Sequence, residues 1–333
     1  MINIKKEKEI LQLIKYKLLI HKCFHKSKRT FYSFKEIREE LDLSSDELLE
    51  LIEKLNVTSN QTFPVEKIDG KHKICHFKKE YKIHEFNIPK KSYKIGFLSD
   101  KHVGHKNDRM RYVHSVYEEG DKRGVDMYFD AGDLLNGPRE LAKDEENIKI
   151  GDLEEALIEA KRFHISDKPT YLVPGNHDLG FMLINKCDIG RLLEQECDNI
   201  FYLNDLFAPV EVNGLRVNIS HGYIERKYLR YVKLYKEQCF LTINEPHLIV
   251  QGHFHLYNLS EKNNTILCEL PSLRFGDEHL KNSRKLTNAL GNSIGAVFLT
   301  VHEFENELEL RFDEMHFIEE NTITNVAEYT KKK

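Results

Sequence analysis

The stretch KIGFLSDKHVGH, residues 94–105, decides the fold. A short apolar run from Ile95 to Leu98 ends in an acidic residue, Asp100, and His102 follows two positions later. This pattern predicts a buried strand whose C-terminal end carries two polar side chains. Because alternate residues at a strand end point the same way, Asp100 and His102 can reach one ion together. Taken alone the pair is weak evidence, since Asp-x-His occurs by chance in many sequences.

Four later stretches repeat the arrangement of an apolar run followed by a polar cluster. They are GDLLN at residues 132–136, GNHD at 175–178, SH at 220–221 and GHFH at 252–255. Apolar runs alternate with helical patterns from residue 94 onward, which predicts an α/β fold. Ligands bind at the carboxyl ends of the strands in open α/β sheets, so all five clusters are expected at one edge.

Charge divides the chain into a basic and an acidic part. Residues 1–94 hold 21 Lys and Arg against 14 Asp and Glu, a balance of +7, whereas the remaining 29 basic and 40 acidic residues sum to −11. Basic segments favour polyanions such as nucleic acid. No apolar run approaches the roughly 20 residues of a membrane span, and the charged N-terminus lacks the apolar core of a signal peptide. We therefore expect a cytoplasmic protein with no membrane partner and with reduced cysteines.

Residues 1–85 are predicted to form a separate winged-helix-like domain. Helical spacing over residues 5–20 and two short helices, Phe34 to Leu41 and Ser44 or Ser45 to Leu55, precede a hairpin that turns at Asp69-Gly70. Such a domain would dock nucleic acid, or else bind a protein partner or a second copy of the chain. The last of these helices is acidic, at Asp46, Glu47, Glu50 and Glu53. Because this face would repel phosphates, the favoured nucleic-acid contact is the first helix or the hairpin, which forms a basic wing with Lys67, Lys71, Lys73, Lys78 and Lys79.

Together the five clusters resemble the motifs of the calcineurin-like metallophosphoesterases. That family's pattern is D-x-H, G-D-x-x-(D/N), G-N-H-(D/E), an isolated His and G-H-x-H, and all five occur here in order over about residues 94–275. The resemblance implies a metal-dependent phosphoric ester hydrolase. It also implies a four-layer αββα sandwich, two mixed sheets flanked by helices, which we place at residues 92–320. We expect residues 321–333 to form a polar tail.

The resemblance further implies two divalent metal ions. One ion would be held by Asp100, His102 and His255, the other by Asn176, His221 and His253, with Asp133 bridging both. Such ions, about 3.5–4 Å apart, clamp a phosphate ester and activate water. Mixed carboxylate and imidazole ligands suit a first-row transition metal better than calcium. Manganese is favoured, and iron, nickel, zinc or magnesium are the alternatives.

His177 is expected to act on the ester and not on the ions. By resemblance it protonates the leaving group or stabilises the transition state, and Asp178 orients and charges it. Alternatively, Asp178 caps the turn that follows. Substrate contacts are predicted at Asn136, His105, Arg109, Arg139, Arg226 and Arg230. A solvated surface position is the alternative for the arginines and for His105.

The motifs favour a phosphodiesterase over a protein phosphatase. The stretch GDLLNGPRE lacks the Asp-Arg-Gly extension typical of Ser/Thr protein phosphatases, and GNHD stands where those enzymes have GNHE. The motif style is closer to the phosphodiesterase and DNA exonuclease branch, so we favour a nuclease acting on nucleic acid. The alternatives are a cyclic- or small-nucleotide phosphodiesterase or phosphatase, and a non-catalytic DNA-binding regulator on a phosphoesterase scaffold.

Overall fold

The computed structural model describes most of the chain from residue 31 onward. The described residues are 31–40, 43–58, 61–62, 65–68, 71–75, 77–78, 83–138, 147–185, 187–203, 207–221, 246–262, 264–274, 294–318 and 321–332. They fall into two compact units, an N-terminal unit between residues 31 and 78 and a main unit between residues 83 and 332.

The N-terminal unit contains two helices and five short strands. Their bounds are β1 Phe31–Ser33, α1 Phe34–Glu40, α2 Ser45–Thr58, β2 Gln61–Thr62, β3 Val65–Ile68, β4 Lys71–Cys75 and β5 Phe77–Lys78. A capping box begins α2, because the Glu47 N–H donates to Ser44 Oγ (3.2 Å) and the Ser44 N–H donates to Glu47 Oε2 (2.9 Å). Strands β3 and β4 pair antiparallel at the predicted hairpin. The predicted helix over residues 5–20 lies outside the described residues, so the winged-helix domain stays a prediction.

The main unit contains four described helices and thirteen described strands. The helices are α3 Met110–Arg123, α4 Leu153–Phe163, α5 Asn176–Asn185 and α6 Ile189–Glu196. The strands are β6 His84–Phe86, β7 Ser92–Leu98, β8 Met127–Asp130, β9 Thr170–Leu172, β10 Ile200–Tyr202, β11 Phe207–Val212, β12 Leu215–Ser220, β13 Leu248–Gln251, β14 Asn258–Lys262, β15 Thr265–Glu269, β16 Gly295–Glu303, β17 Glu307–Ile318 and β18 Asn321–Lys332.

These strands form two mixed sheets. The seven-stranded sheet has the order β10-β9-β8-β7-β16-β17-β18, and its first four strands are parallel. The six-stranded sheet has the order β14-β15-β13-β12-β11-β6, with β15, β13 and β12 parallel. The parallel strands β7, β8, β12 and β13 end at four of the predicted clusters, and β9 ends shortly before the fifth. The sheets therefore place the carboxyl ends of their parallel strands where the sequence predicts a site.

Two hydrophobic cores hold the main unit together. Alternate residues of β7, Tyr93, Ile95 and Phe97, pack against residues of the six-stranded sheet such as Val217 and Val250. The opposite face of the seven-stranded sheet packs against α3, α4 and α6 in a second core. Period-two alternation therefore assigns one face of β7 to the space between the sheets and the other to the helices. The predicted α/β fold of two mixed sheets with flanking helices is confirmed.

One sequence prediction about this unit is wrong. The predicted polar tail over residues 321–333 is instead a strand, because Asn321–Lys332 forms β18 and pairs antiparallel with β17 over its whole length. No helix among the described residues is long and apolar enough to cross a membrane.

Candidate metal centre

The loops that follow β7 and β8 are hydrogen-bonded to each other. The Asp100 N–H donates to the Gly132 carbonyl (2.9 Å), and the His102 N–H donates to the Asp133 carbonyl (3.0 Å). The loop after β13 joins them, since the His253 N–H donates to Asp100 Oδ2 (2.8 Å). Three of the five predicted clusters are therefore joined by hydrogen bonds into one continuous frame.

The predicted ligands occupy an unusual backbone conformation. Seven described residues other than glycine have positive φ, and five of these are predicted ligands. Those five are Asp100 (52°), His102 (47°), Asp133 (53°), His253 (76°) and His255 (52°). Left-handed backbone at a non-glycine residue costs roughly 1–2 kcal/mol and concentrates at functional sites. Such a grouping indicates that the loops are shaped for the side chains they carry.

Asp100, His102 and His255 form one compact group of ligand atoms. His255 Nε2 lies 3.1 Å from Asp100 Oδ1 and 3.0 Å from His102 Nε2, and His102 Nε2 lies 3.6 Å from Asp100 Oδ1. Atoms that bind one ion at about 2.1 Å are about 3.0–3.4 Å apart in octahedral or tetrahedral geometry. All three side chains are buried. The spacing of this group therefore fits the predicted first ion.

Asp133, His221 and His253 form a second group, with their ligand atoms within 4.8 Å of one another. His221 Nε2 lies 2.9 Å from Asp133 Oδ2, while His221 Nδ1 lies 2.7 Å from the Ala131 carbonyl. That carbonyl can only accept, so His221 donates from Nδ1 and presents Nε2 to the centre. A backbone carbonyl behind the ring is the usual way of orienting a histidine ligand.

Asp133 lies between the two groups. Its Oδ2 atom is 2.9 Å from His221 Nε2 in the second group and 3.8 Å from His102 Nε2 in the first. Its other oxygen, Oδ1, accepts from the His177 N–H (2.7 Å), which fixes the rotation of the carboxylate. A carboxylate in this place could contact two ions at once.

Asn176 supplies a further donor atom. It is the first residue of α5, and its Oδ1 atom is buried without a hydrogen-bond partner among the described residues. A buried amide oxygen left without a partner costs about 1–3 kcal/mol. A cation bound to this oxygen would satisfy it. The residues present therefore fit two divalent ions on spacing, donor chemistry and this unsatisfied oxygen.

Neighbouring histidines keep the two buried carboxylates of the centre ionised. Burial opposes ionisation of Asp100, but the imidazoles of His255 and His221 hold its pKa well below the usual range. Burial likewise opposes ionisation of Asp133, and His221 and His177 hold its pKa low. Both carboxylates are therefore anionic at neutral pH.

The histidines divide into neutral and charged members. Burial, followed by the charge of His221, lowers the pKa of His253 to about 3. Although burial acts in the opposite direction, Asp133 and Asp100 raise the pKa of His221 to about 9. Binding a cation at His221 would thus release a proton, as expected when an imidazole becomes a ligand.

His177 stands at the edge of the centre. Its Nδ1 atom lies 2.6 Å from the Asn136 carbonyl, so Nδ1 carries the hydrogen and Nε2 faces inward, 3.9 Å from Asp133 Oδ2. The ring meets the His102 ring edge-on at 4.7 Å, and 38% of the His177 side chain is exposed. His177 is therefore the histidine of the centre that solvent or a substrate can reach most readily.

Asp178 does not orient His177, which corrects that prediction. Its carboxylate instead accepts from the N–H groups of Gly175 (2.8 Å), Leu135 (2.9 Å) and Leu134 (3.3 Å). Burial and then the charge of Asp133 raise the pKa of Asp178 to about 7. These three donors all precede Asp178 in the chain, so the contacts do not include the turn that follows it, which was the alternative prediction.

The predicted substrate contacts have mixed outcomes. His105 is buried, and its Nδ1 atom accepts from the Asn107 N–H (2.9 Å). Arg109 directs its guanidinium at the carbonyls of Asp108 (2.8 Å) and Lys106 (3.5 Å). Asn136 holds His177 through its backbone carbonyl, as described above. Arg139, Arg226 and Arg230 lie outside the described residues.

Two glycines are required by close approach. A Cβ atom at Gly175 would overlap Asp133 Oδ1 and the Asp133 backbone nitrogen, and one at Gly252 would overlap Ser99 Oγ. Ser99 Oγ itself donates to Asp100 Oδ2 (2.7 Å). These glycines allow the strand ends to touch behind the ligands.

The stretch after β15 holds two residues of the centre that none of the five motifs indicates. Ser272 Oγ donates to the Asp100 carbonyl (2.9 Å), and the Arg274 N–H donates to Ser272 Oγ (3.0 Å). Arg274 is buried, and its charge is the largest influence after burial that lowers the pKa of His102. A basic residue directly after the buried run ILCELPSL is the signal that could have revealed it.

The chain resembles solved structures of known proteins. Vacuolar Protein Sorting 29 from Cryptosporidium parvum is 12% identical with a TM-score of 0.42, and the match covers 72% of this chain and 99% of that one. A novel archaeal phosphodiesterase is 14% identical with a TM-score of 0.39, covering 71% and 99%. GAP50, the anchor in the inner membrane complex of Plasmodium, is 13% identical with a TM-score of 0.40, covering 72% and 88%.

Family membership comes from the sequence profile of a domain. No curated protein matches the chain. The profile of the calcineurin-like phosphoesterases, however, matches residues 93–284, more than half of the 333 residues. That range contains both ligand groups and His177. Proteins of this family bind divalent metals and hydrolyse phosphoesters, and the chain belongs to the calcineurin-like phosphoesterase family.

Proposed function

We propose that the protein is a dinuclear metal-dependent phosphodiesterase that acts as a nuclease on nucleic acid. The observation that carries the proposal is the place of Asp133, whose Oδ2 atom lies 3.8 Å from His102 Nε2 and 2.9 Å from His221 Nε2. A single carboxylate shared by two histidine-containing groups is the arrangement expected of a bridge between two ions. An anionic bridge also screens the repulsion between two dications.

Each ligand has a role in this proposal. Asp100, His102 and His255 would hold one ion, Asn176, His221 and His253 would hold the other, and Asp133 would be shared between them. Two divalent ions, when bound, would polarise the phosphoryl oxygens and lower the pKa of a water molecule. Manganese is the proposed metal, because imidazole and carboxylate ligands together suit first-row transition metals.

His177 acts on the leaving group. The Asn136 carbonyl accepts the hydrogen of Nδ1, so the doubly protonated ring carries its second hydrogen on Nε2. That proton can pass to the departing oxygen and leave the neutral ring with its hydrogen on Nδ1. Its exposed position places this atom where a bound ester can reach it. Positioned acids of this kind contribute about a hundred- to ten-thousand-fold in rate.

Arg274 supplies the positive charge for a phosphate. Its backbone is fixed to the Asp100 loop through Ser272, and its side chain is buried beside the ligand group that contains His102. Arginine binds phosphate oxygens with two parallel hydrogen bonds, which favours it over lysine for this role. Arg274 thus joins the arginines that were predicted from the sequence to contact the substrate.

A panel of substrates tests the reaction. With Mn²⁺ we expect hydrolysis of bis-p-nitrophenyl phosphate and of single- or double-stranded DNA, and much slower hydrolysis of p-nitrophenyl phosphate and cyclic nucleotides. Asp133→Asn, purified in parallel, separates the intrinsic activity from a contaminating nuclease, whose activity would persist. Hydrolysis restricted to p-nitrophenyl phosphate or to cyclic nucleotides would replace the nuclease by one of the alternatives. Two bound ions without any hydrolysis would favour a non-catalytic scaffold.

Nucleic-acid docking by residues 1–85 is the second part of the proposal. It is supported by the +7 balance of residues 1–94 and by three lysines of the paired strands β3 and β4, at Lys67, Lys71 and Lys73. Replacing these three lysines by Glu should weaken DNA binding and reduce the log–log salt slope by up to about 2.7, at about 0.9 for each phosphate contact. Hydrolysis of bis-p-nitrophenyl phosphate should be unchanged.

A matched triple variant controls for net charge. Lys91, Lys122 and Lys332 are exposed lysines of the main unit, and replacing them by Glu changes the charge equally. This control should leave the slope near the wild-type value. Equal slopes for the wild type and both variants would remove the nucleic-acid role from the hairpin. A binding site for a protein partner or a second copy would then be the better interpretation of residues 1–85.

A further inference from the structure

A buried lysine lies between the two ligands of the first loop. Lys101 follows Asp100 and precedes His102, yet only 2% of its side chain is exposed. Its ammonium group lies 2.7 Å from Asp130 Oδ2 and 3.1 Å from the hydroxyl of Tyr117. The Tyr117 hydroxyl in turn lies 3.0 Å from His164 Nδ1. Lys101 therefore points away from the ligand groups and into the core beneath α3.

Asp130 connects this lysine to the second loop. It is the last residue of β8, its side chain is 2% exposed, and its Oδ1 atom accepts from the Gly132 N–H (3.1 Å). Gly132 immediately precedes Asp133. The ion pair thus joins the residue between Asp100 and His102 to the turn that presents Asp133.

Stability alone gives little reason for such a pair. Replacing a buried ion pair by apolar residues of similar volume is often neutral or stabilising, because the desolvation of both charges is avoided. The backbone beside Lys101 does need support. Its neighbours Asp100 and His102 both have positive φ, and strained residues persist only where surrounding contacts fix them. The Lys101 side chain is one of the contacts that hold this backbone, together with the Ser272 hydroxyl on the Asp100 carbonyl.

We infer that the Lys101–Asp130 ion pair is a positioning device for the metal centre. It sets the distance between the loop that carries Asp100 and His102 and the loop that carries Asp133, and so the distance between the two ions. The inference rests on the proposed dinuclear function. Lys101 touches neither ion and acts only through the loops.

The double variant Lys101→Met/Asp130→Leu tests this inference. It exchanges the buried ion pair for apolar side chains, so we expect it to fold with a urea midpoint near the wild-type value. We also expect Mn²⁺ to bind 10–100-fold more weakly, the usual loss when a contact that orients ligands is removed. Isothermal titration calorimetry of the metal-free protein gives the affinities and the number of ions bound.

Electron paramagnetic resonance provides a readout that a purely structural role would not change. Two Mn²⁺ ions that share a carboxylate give an exchange-coupled spectrum, distinct from the hyperfine pattern of isolated ions. In the double variant the coupled signal should give way to isolated Mn²⁺. A folded double variant with wild-type affinity and the wild-type coupled spectrum would overturn the inference.

Further variants make the result interpretable. Asp130→Asn keeps the side-chain volume and the acceptor for the Gly132 N–H, and it decides the same question if the double variant does not fold. The control Lys331→Met removes a buried lysine that contacts Glu261 and Asn264 at the opposite end of the six-stranded sheet, so Mn²⁺ affinity should not change. Wild-type protein that binds one ion, or two uncoupled ions, would instead contradict the proposed dinuclear function and leave the ion pair without this role.

Discussion

Removing the charge of Lys101 alone should destabilise the main unit strongly. The ammonium and the Asp130 carboxylate are 2.7 Å apart, and each side chain is 2% exposed. At an effective dielectric constant of about 20, two unit charges at that separation attract by about 6 kcal/mol. Lys101→Met keeps most of the apolar stem but leaves Asp130 buried with only the Gly132 N–H as a described hydrogen-bond partner.

The expected loss is smaller than the full attraction, because the variant no longer desolvates an ammonium group. Breaking a buried pair by removing one partner typically costs about 3–5 kcal/mol. With a urea m-value of about 3 kcal/mol/M, the midpoint should fall by about 1–1.7 M. Far-UV circular dichroism of the metal-free protein in a urea series measures this fall.

The control is an exposed lysine of α3. Lys122→Met removes the same charge at the surface, and such substitutions usually stay within about 0.5 kcal/mol. Adding Asp130→Leu to Lys101→Met should recover most of the lost stability, since no buried charge then remains. If Lys101→Met loses less than about 1 kcal/mol in free energy of unfolding, the ion pair is solvated and the prediction from its burial is wrong.

Three further predictions concern Asp133, His177 and His247. Asp133→Asn should bind fewer than two Mn²⁺ ions and lose turnover while keeping its fold, and two bound ions with full activity would refute the bridging role. His177→Ala should keep both ions but lose about a hundred- to ten-thousand-fold in rate, whereas loss of an ion on metal analysis would make His177 a ligand. Burial and then the charge of Arg216 lower the pKa of His247 to about 4, so this histidine is neutral in the folded protein. The unfolded chain takes up the proton near pH 6.5, so the free energy of unfolding should fall by roughly 3 kcal/mol as the pH drops from about 6.5 to 4. His247→Gln should flatten that part of the pH profile in urea unfolding, and an unchanged profile would assign the acid sensitivity elsewhere.

The ligand positions could be predicted because each follows directly from the chain. Asp100 and His102 stand at the end of an apolar run, and the other clusters repeat that arrangement. Because ligands bind at the carboxyl ends of strands in α/β sheets, the order of the strands is enough to predict where the ligands lie. The fold class could be predicted for the same reason. Neither inference requires knowledge of how one loop packs against another.

The partner of Asp178 could not be predicted, because it depends on contacts between loops. The sequence places Asp178 next to His177, and neighbouring positions suggest a pair. In the structure the loop after β8 brings the N–H groups of Leu134 and Leu135 within reach of the Asp178 carboxylate. Three backbone N–H groups therefore donate to the Asp178 carboxylate, while His177 donates from Nδ1 to the Asn136 carbonyl.

Strand β18 was missed because it is an edge strand. Most of its residues from Thr324 onward with described side chains are exposed or half-buried, so it has no apolar alternation to read. Its stability comes from backbone pairing with β17 and from Lys331, which is 1% exposed and contacts Asn264 and Glu261. A lysine in a polar stretch gives no sequence signal that it will be buried.

The positive φ values link the choice of ligands to the shape of the loops. Asp, Asn and His enter the left-handed region more readily than other non-glycine residues, so the residue types that bind metals also tolerate the backbone that the loops require. Five such residues at roughly 1–2 kcal/mol each would still store several kcal/mol of strain. The hydrogen bonds between the loops and the Lys101–Asp130 pair hold this strained frame in place. Contacts among the protein's own residues therefore contribute to ordering the ligands, and this lowers the ordering cost that metal binding would otherwise include.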